Sequence, residues 1–270
     1  MNRTAGHGRL TSTSAEAALA RVSAWGPDAA AVLGSGLAAA PGGATLDEEF
    51  EYAALDWPCS AVAGHASRLQ LLRVSTPGGR EVKLALACGR PHRYEGWSNA
   101  ELERPVGDLS ACGVRRLVLT NASGSLRSAP GGTVVVCDRV VDLQMPPTGS
   151  APDVLTVCTR PQAAQVADAV AGVALPTRVG AYVAVAGPQF ETPAEARWLS
   201  HHGDVVGMSA APEVRAAHAA GVACLLLSLV VNQSADAGSH EDVLATAGQL
   251  SARFATALLP AAQARWPELT

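Results

Sequence analysis

The stretch "VACLLLSLVVN", residues 222–232, decides the fold. It is apolar throughout except for one serine and the final asparagine, so it lacks the alternation of a strand with one face in water. A run of this length, rich in Val and Leu, predicts a strand that is buried on both faces. Such strands belong to sheets that helices cover on both sides.

Strands of this kind alternate with helical patterns along the chain. Strands are predicted at residues 29–33, 68–74, 81–88, 115–124 (ending in a loop), 132–143, 179–187, 204–209 and 222–232. Helices are predicted from the capping box of Thr13 and Glu16 to Trp25, and at residues 99–113, 161–172, 193–203, 211–221 and 240–266.

The alternation predicts an α/β fold with one domain over residues 12–270, after a flexible tail at residues 1–11. Its central sheet is expected to be mixed and largely parallel, with helices on both faces. The proline-rich residues 144–160 are predicted to form a long loop.

The composition excludes several classes of function. A net charge of −4 gives no overall attraction to nucleic acid or to a membrane, so a bound anion needs a local cluster. The six cysteines form no CxxC pair, which is typical of buried thiols in a reducing compartment and not of a metal site. The sequence shows neither a signal peptide nor an apolar run long enough to span a membrane, so we expect a cytoplasmic protein.

Small and polar residues follow several of the predicted strands, where α/β sheets bind their ligands. These groups are Gly34-Ser35-Gly36, Gly89-Arg90-Pro91-His92, Thr120-Asn121-Ala122-Ser123, Gly187-Pro188-Gln189-Phe190-Glu191, Gly207-Met208-Ser209 and Val231-Asn232. Their recurrence predicts a site at one edge of the sheet.

The glycine group at residues 34–39 allows three interpretations. It fits a dinucleotide fingerprint, although residues 41–52 do not look like the helix and second strand with an acidic end that this site needs. It also fits a simple tight turn. The third interpretation is an anion loop, in which Ser35 and nearby N–H groups hold phosphate.

Charged and polar side chains at the other strand ends leave a similar choice. The guanidinium of Arg90 suits phosphate oxygens and His92 adds a donor, but a solvated surface loop is the alternative. His65 is a lone histidine, for which a structural role is the simpler interpretation. Ser209 precedes a predicted helix whose first residues, Ala210 and Ala211, could offer free N–H groups. GxSxG, HExxH and Walker A patterns are absent, so a serine hydrolase or metallohydrolase lacks support.

In chain order these groups resemble one family, the trimeric type of purine nucleoside phosphorylase. The matching stretches are "VLGSGL" (32–37), "GH" (64–65), "GRPHRYEG" (89–96), "TNASGSL" (120–126), "GPQFETPAEARWL" (187–199), "VGMSAAPEVRAA" (206–217), "SLVVN" (228–232) and "SHEDVL" (239–244). The resemblance implies a nucleoside phosphorylase-like fold and phosphorolysis of inosine- or guanosine-type nucleosides to free base and ribose 1-phosphate. It also implies a homotrimer whose partners are a small-molecule purine nucleoside and phosphate, with no metal or organic cofactor.

The resemblance also assigns roles to individual residues. Phosphate would be bound by Ser35, His65, Arg90, His92, Ala122 and Ser209. Ribose would be bound by Tyr94, Met208 and His240, and the base by Phe190, Glu191 and Asn232. Asn232, Glu191 and His92 would act in catalysis, and Glu95 would support the phosphate site.

Some positions depart from the family pattern. Ser123 and Ser125 replace the usual Ala and Gly, Val231 replaces Thr, and Gln233 replaces the Lys of animal members. Residues 144–160 lack the Phe that reaches a neighbouring subunit in the family. Two alternatives therefore stay open: a phosphorylase of a modified or deoxy purine nucleoside in a specialised pathway, and a catalytically silent nucleoside-binding homologue. Methylthioadenosine phosphorylase is disfavoured, because His240 suits a polar 5′ group.

Overall fold

Ten strands form one mixed sheet in the computed structural model, which describes residues 12–37, 40–75, 79–146, 151–172, 175–234 and 240–263. The strands are β1 Ala29–Leu33, β2 Ala44–Glu51, β3 Arg68–Ser75, β4 Glu81–Cys88, β5 Arg116–Ser125, β6 Val134–Asp142, β7 Asp153–Thr156, β8 Thr177–Ala184, β9 Val205–Gly207 and β10 Ala223–Gln233. The α-helices are α1 Ser12–Trp25, α2 Asn99–Ala111, α3 Arg160–Ala171, α4 Pro193–Leu199, α5 Ala211–Ala219 and α6 His240–Gln263.

Strand β5 is the centre of the sheet. It pairs in parallel with β1 and β10 and antiparallel with β9. Strand β10 continues to β6, β6 to β8 and β8 to β9, so these five strands close into a ring. From β1 the sheet continues through β4 and β3 to β2. Among the described strands five pairings are parallel and five antiparallel, and the predicted α/β fold with a mixed sheet is confirmed.

Helices cover the sheet on both faces, as the apolar run at 222–232 predicts. In β10, Cys224 and Leu226 pack into a cluster with α1, α2 and α5, while Leu225 and Leu227 pack into a second cluster with α3 and α6. Because both faces are buried, β10 has no polar alternation. Within the described residues, no helix is long and apolar enough to cross a membrane.

The parallel strands place the predicted polar groups together. β1, β4, β5 and β10 run in the same direction, so the residues after them meet at one edge of the sheet. A bulge between Val230 and Asn232 interrupts the pairing of β10 with β5 at this edge. Bulges commonly re-aim a side chain next to a site.

Two edge strands were not expected. Residues 144–160 are not one long loop, because they contain β7, which pairs antiparallel with β6. Residues 44–51 form β2, which pairs with β3 and carries mostly exposed, acidic side chains. The loop expected at the end of residues 115–124 is also wrong, since β5 continues to Ser125. The predicted tail at residues 1–11 and the last predicted helical residues, 264–266, lie outside the described residues.

The turn after β1 is packed too closely for a side chain, and this yields a prediction. A Cβ on Gly34 would lie 2.7 Å from the Cα of Asn121 and 3.0 Å from the carbonyl oxygen of Thr120. Gly34→Ala should therefore push β1 from β5 and lower the free energy of unfolding by about 1–3 kcal/mol, as overpacking does. Urea denaturation measures the loss.

The matched control for this prediction is Gly107→Ala in α2, where a Cβ would meet nothing within 4 Å. Alanine favours a helix over glycine by about 1 kcal/mol, so this variant should be at least as stable as the wild type. Equal stability of the two variants would contradict the packing argument.

Candidate active site

A cavity of about 280 Å³ lies at the edge where the polar groups meet. It brings together every sequence-predicted site residue except His65 and the supporting Glu95: Ser35, Arg90, His92, Tyr94, Ala122, Phe190, Glu191, Met208, Ser209, Asn232 and His240. The described part of the chain thus joins segments that are far apart in sequence into one concave site of the kind that binds small molecules.

Arg90 is the buried cation of this cavity. Its side chain is 2% exposed, so the alternative of a solvated surface loop is wrong. Nε donates to Oε1 of Glu213, and Nη1 donates to the carbonyl oxygen of Thr120 at 2.6 Å. Nη2 is buried without a hydrogen-bond partner among the described residues. A buried donor left without a partner is costly, and a guanidinium suits oxyanions, so Nη2 marks a place for an anion.

Glu213 holds Arg90 in place, although the sequence did not identify it as a site residue. It lies in α5, is 7% exposed, and sits in a helix segment whose neighbours Pro212 and Val214 are also buried. A carboxylate at a buried helix position needs a cation or several donors. The single acid in "APEVRAAHA" (211–219) was the available signal, but its partner could not be read from the sequence.

His65 contacts the cavity residues Ser35 and Arg90 but does not itself line the cavity. Its Nδ1 accepts the backbone N–H of Arg90 at 2.9 Å, so in the neutral ring the proton lies on Nε2. Nε2 is 2.9 Å from Oγ of Ser35 and donates to it, which leaves the Ser35 hydroxyl proton for a ligand. Burial, and then the charges of His92 and Arg90, lower the pKa of His65 to about 3, so it stays neutral near pH 7.

The side chain of His92 is oriented by the carboxylate of Glu95. The Glu95 carboxylate accepts the backbone N–H of His92 at 2.7 Å and lies 3.2 Å from its Nδ1. Ser60 and Ala61 donate to the same carboxylate. Burial acts to raise the pKa of Glu95. The hydrogen bonds to the carboxylate, of which the one from the His92 side chain contributes most, outweigh burial, so the pKa is lowered. An ionised Glu95 only accepts, so Nδ1 of His92 carries a proton.

Asn121 lies in the strand-end group that predicts the site, but the sequence assigned it no role. It lines the cavity beside Ala122 and is 2% exposed. The hydroxyl of Ser228 donates to its Oδ1 at 2.6 Å, while its Nδ2 is buried without a partner among the described residues. Nδ2 of Asn121 is therefore a second buried donor that, like Nη2 of Arg90, lacks a hydrogen-bond partner among the described residues.

Ser209 lies where β9 leads into α5. The prediction that the N–H of Ala211 is free is wrong, because this group donates to the carbonyl oxygen of Ser209 at 2.9 Å. Ala210 has a positive φ of 70° with a ψ of −36°, which sets the turn between strand and helix. The Ser209 side chain, 8% exposed, lines the cavity.

Tyr94 and Met208 meet in the middle of the cavity. The ring of Tyr94 stacks on that of His92, with centroids 4.8 Å apart and planes inclined by 13°. The carbonyl oxygen of Met208 accepts from Nε2 of Gln144 at 3.0 Å. A Cβ on Gly187 would lie 2.9 Å from the Tyr94 ring, so glycine is needed there. His240, the first residue of α6, lies nearby with Nε2 3.3 Å from the carbonyl oxygen of Ala63.

The remaining part of the cavity carries an aromatic ring, a carboxylate and an amide. Phe190 is 36% exposed and offers a flat apolar surface. Oε2 of Glu191 accepts from Oγ of Ser234 at 2.7 Å, while burial raises the pKa of this carboxyl. Asn232, placed by the bulge in β10, donates from Nδ2 to the carbonyl oxygen of Gln233 at 3.0 Å. Among the described residues, one N–H and the amide oxygen of Asn232 have no other hydrogen bond and could serve a ligand.

Comparison with known proteins identifies the family. A family model described as the phosphorylase superfamily matches residues 28–262. The chain belongs to this superfamily. Purine nucleoside phosphorylase 1 of Geobacillus stearothermophilus is 32% identical over 251 residues, covering 84% of this chain and 88% of that protein. Purine nucleoside phosphorylase of Mycobacterium tuberculosis is 37% identical over 252 residues, covering 88% and 90%.

Solved structures agree with the sequence comparison. A Schistosoma purine nucleoside phosphorylase in complex with hypoxanthine has a TM-score of 0.73 at 26% identity, covering 95% of this chain and 98% of that one. A second, in complex with guanosine, has a TM-score of 0.70 at 26% identity, covering 91% and 95%. The resemblance to the purine nucleoside phosphorylases is thereby confirmed.

The ion pair of Arg90 with Glu213 gives a prediction that separates folding from binding. Because Arg90→Ala leaves Glu213 buried and unpaired, the free energy of unfolding should fall by about 3–5 kcal/mol. The double variant Arg90→Ala/Glu213→Ala should recover part of this loss. Both variants should bind phosphate at least about 10–100-fold more weakly, since a hydrogen bond to a charged group is lost.

Urea denaturation and the Michaelis constant for phosphate, measured on both variants, check this prediction. If the double variant regained both the stability and the phosphate affinity that Arg90→Ala loses, Arg90 would have only a structural role.

Proposed function

We propose that this protein cleaves purine nucleosides with inorganic phosphate and releases the free base and ribose 1-phosphate. The observation that carries the proposal is a cavity lined by two residues whose buried donors lack a partner among the described residues, Nη2 of Arg90 and Nδ2 of Asn121. Phe190, Glu191 and Asn232 line the same cavity and suit a flat heterocycle with polar edges. Membership of the phosphorylase superfamily supports the same reaction.

The phosphate end of the cavity would hold the nucleophile. Arg90 offers a fixed guanidinium N–H, Ser35 a hydroxyl freed by His65, and His92 a ring oriented by Glu95. Ala122 and Ser209 complete the phosphate site in this proposal. A bound phosphate oxygen attacks the anomeric carbon of ribose, so no protein nucleophile is needed. Positioning and charge stabilisation then account for catalysis.

The base end of the cavity would stabilise the leaving group. When the glycosidic bond breaks, its electron pair goes to the purine, and ribose passes through an oxocarbenium-like state. Asn232 can donate to the imidazole-ring nitrogen where negative charge develops, and removing such a donor typically costs about 2.7–4 kcal/mol. Glu191 accepts from the other edge of the base, and Phe190 stacks on its face. Tyr94, Met208 and His240 would contact the ribose, with His240 at the 5′-hydroxyl.

The proposal includes a homotrimeric, cytoplasmic enzyme that needs no metal or organic cofactor. In support of association, a groove of about 490 Å³ next to the cavity is lined by Phe190 and Trp198. Trp198 is 53% exposed, and exposed apolar surface of this kind commonly marks a contact between proteins.

A modified or deoxy purine nucleoside is the second candidate substrate, favoured by Val231, which lacks a hydroxyl at the bulge beside Asn232.

The first prediction of the proposal is strict dependence on phosphate. Base release from inosine should follow the phosphate concentration and yield ribose 1-phosphate, because the cavity offers an anion site. A coupled assay for hypoxanthine, with product sugars resolved by chromatography, measures both. Equal release in phosphate-free buffer with free ribose as product would mean a hydrolase, and no release at all would favour the silent homologue.

The second prediction is a preference for inosine and guanosine over adenosine. An ionised Glu191 only accepts hydrogen bonds, and 6-oxopurines offer it a ring N–H where adenine presents a bare nitrogen. The kcat/KM for inosine should exceed that for adenosine by at least about 10²-fold. Glu191→Gln should narrow this difference, since an amide can donate to adenine. Wild-type protein that cleaves both nucleosides equally well would show that Glu191 does not distinguish the bases.

A further inference from the structure

We infer that Ser234 is a positioning residue that sets base specificity by fixing the carboxylate of Glu191. Ser234 follows β10 and its Oγ donates to Oε2 of Glu191 at 2.7 Å. Glu191 lines the cavity and Ser234 does not. The hydroxyl of Ser234 therefore acts on the base through Glu191, the cavity residue to which it donates. The inference rests on the proposed function, in which Glu191 contacts the purine.

The position of Ser234 is fixed by its packing against β5. It is 1% exposed, and its backbone N–H donates to the carbonyl oxygen of Ser125 at 2.9 Å. A Cβ on Gly124 would lie 3.2 Å from the Cα of Ser234 and 3.3 Å from its Cβ, so the two backbones are in close contact. The hydroxyl is therefore held by the centre of the sheet, and the carboxylate that it binds shares this rigidity.

The hydrogen bond from Ser234 acts on Glu191 in two ways. It fixes Oε2, and with it the orientation of the carboxylate that a base would meet. It also opposes protonation: burial raises the pKa of Glu191, the Ser234 bond and then a hydrogen bond from the backbone of Glu191 itself lower it, and Glu195 raises it. A carboxylate that is held and ionised accepts the ring N–H of a 6-oxopurine and repels the bare nitrogen of adenine.

Loss of the hydroxyl would weaken both effects. Without Ser234 as a donor, Glu191 can turn, and its protonated form becomes more favourable in the buried site. A protonated carboxyl donates as well as accepts, so it can pair with adenine. Removal of the hydroxyl should therefore change the ratio between bases, whereas a merely structural defect would reduce the activity toward all nucleosides alike.

The test compares kcat and KM for inosine and adenosine, with saturating phosphate, in wild type, Ser234→Ala and Ser234→Cys. Cysteine fills nearly the same space but is a weak donor, so it separates loss of the hydrogen bond from loss of packing. We expect the inosine-to-adenosine ratio of kcat/KM to fall at least about 10-fold in both variants, as loss of a hydrogen bond to a charged group does. The loss for inosine should appear mainly in KM.

Ser125→Ala is the matched control. Ser125 is also a buried serine, 4% exposed, whose Oγ accepts the backbone N–H of Ala129 at 2.7 Å, and it is not among the cavity residues. Its carbonyl oxygen, which binds Ser234, is retained in the variant. The control should keep the wild-type ratio even if its thermal midpoint falls.

Three results would be decisive. A ratio that falls in Ser234→Ala and Ser234→Cys but not in Ser125→Ala supports the inference. Folded Ser234 variants that keep the wild-type ratio overturn it, whether or not their overall activity falls. Wild-type protein that releases base from neither nucleoside overturns the proposed function instead, so the two failures can be distinguished. If Ser234→Ala unfolds, the near-isosteric Ser234→Cys decides.

Discussion

The buried ion pair of Arg90 with Glu213 is the interaction on which the site depends. It joins the end of β4 to α5, across a sequence separation of 123 residues. Removing one partner of such a pair typically costs about 3–5 kcal/mol, because the other charge stays buried. Glu213 and the Thr120 carbonyl use two guanidinium nitrogens, whereas Nη2 is buried without a partner among the described residues. The fold thus holds a donor in position before a ligand arrives.

The same principle extends to the neighbouring residues. His65 frees the Ser35 hydroxyl, Glu95 orients His92, and Ser234 holds Glu191, so each of these three cavity residues is positioned by a second polar group. These partners come from strand ends or from the loops that pack on them. A reaction whose nucleophile is a bound anion needs such pre-organised donors more than it needs a reactive side chain.

The sequence predicted the buried strands well and the edge strands poorly. Residues 222–232 are apolar because both faces of β10 are covered, whereas β2 and β7 have exposed positions and short or charged sequences that resemble loops. The side chains at the strand ends were predicted because parallel strands bring them together. The roles of Glu213, Asn121 and Ser234 were missed because they depend on contacts between distant segments, which spacing alone does not reveal.

A crystal structure of the protein with phosphate and hypoxanthine is the most direct test of the central claim. The account predicts a phosphate oxygen within hydrogen-bond distance of Nη2 of Arg90, with the Arg90–Glu213 pair unchanged and the base between Phe190 and the Glu191 carboxylate. Phosphate bound elsewhere, with Nη2 still lacking an anion partner, would contradict it.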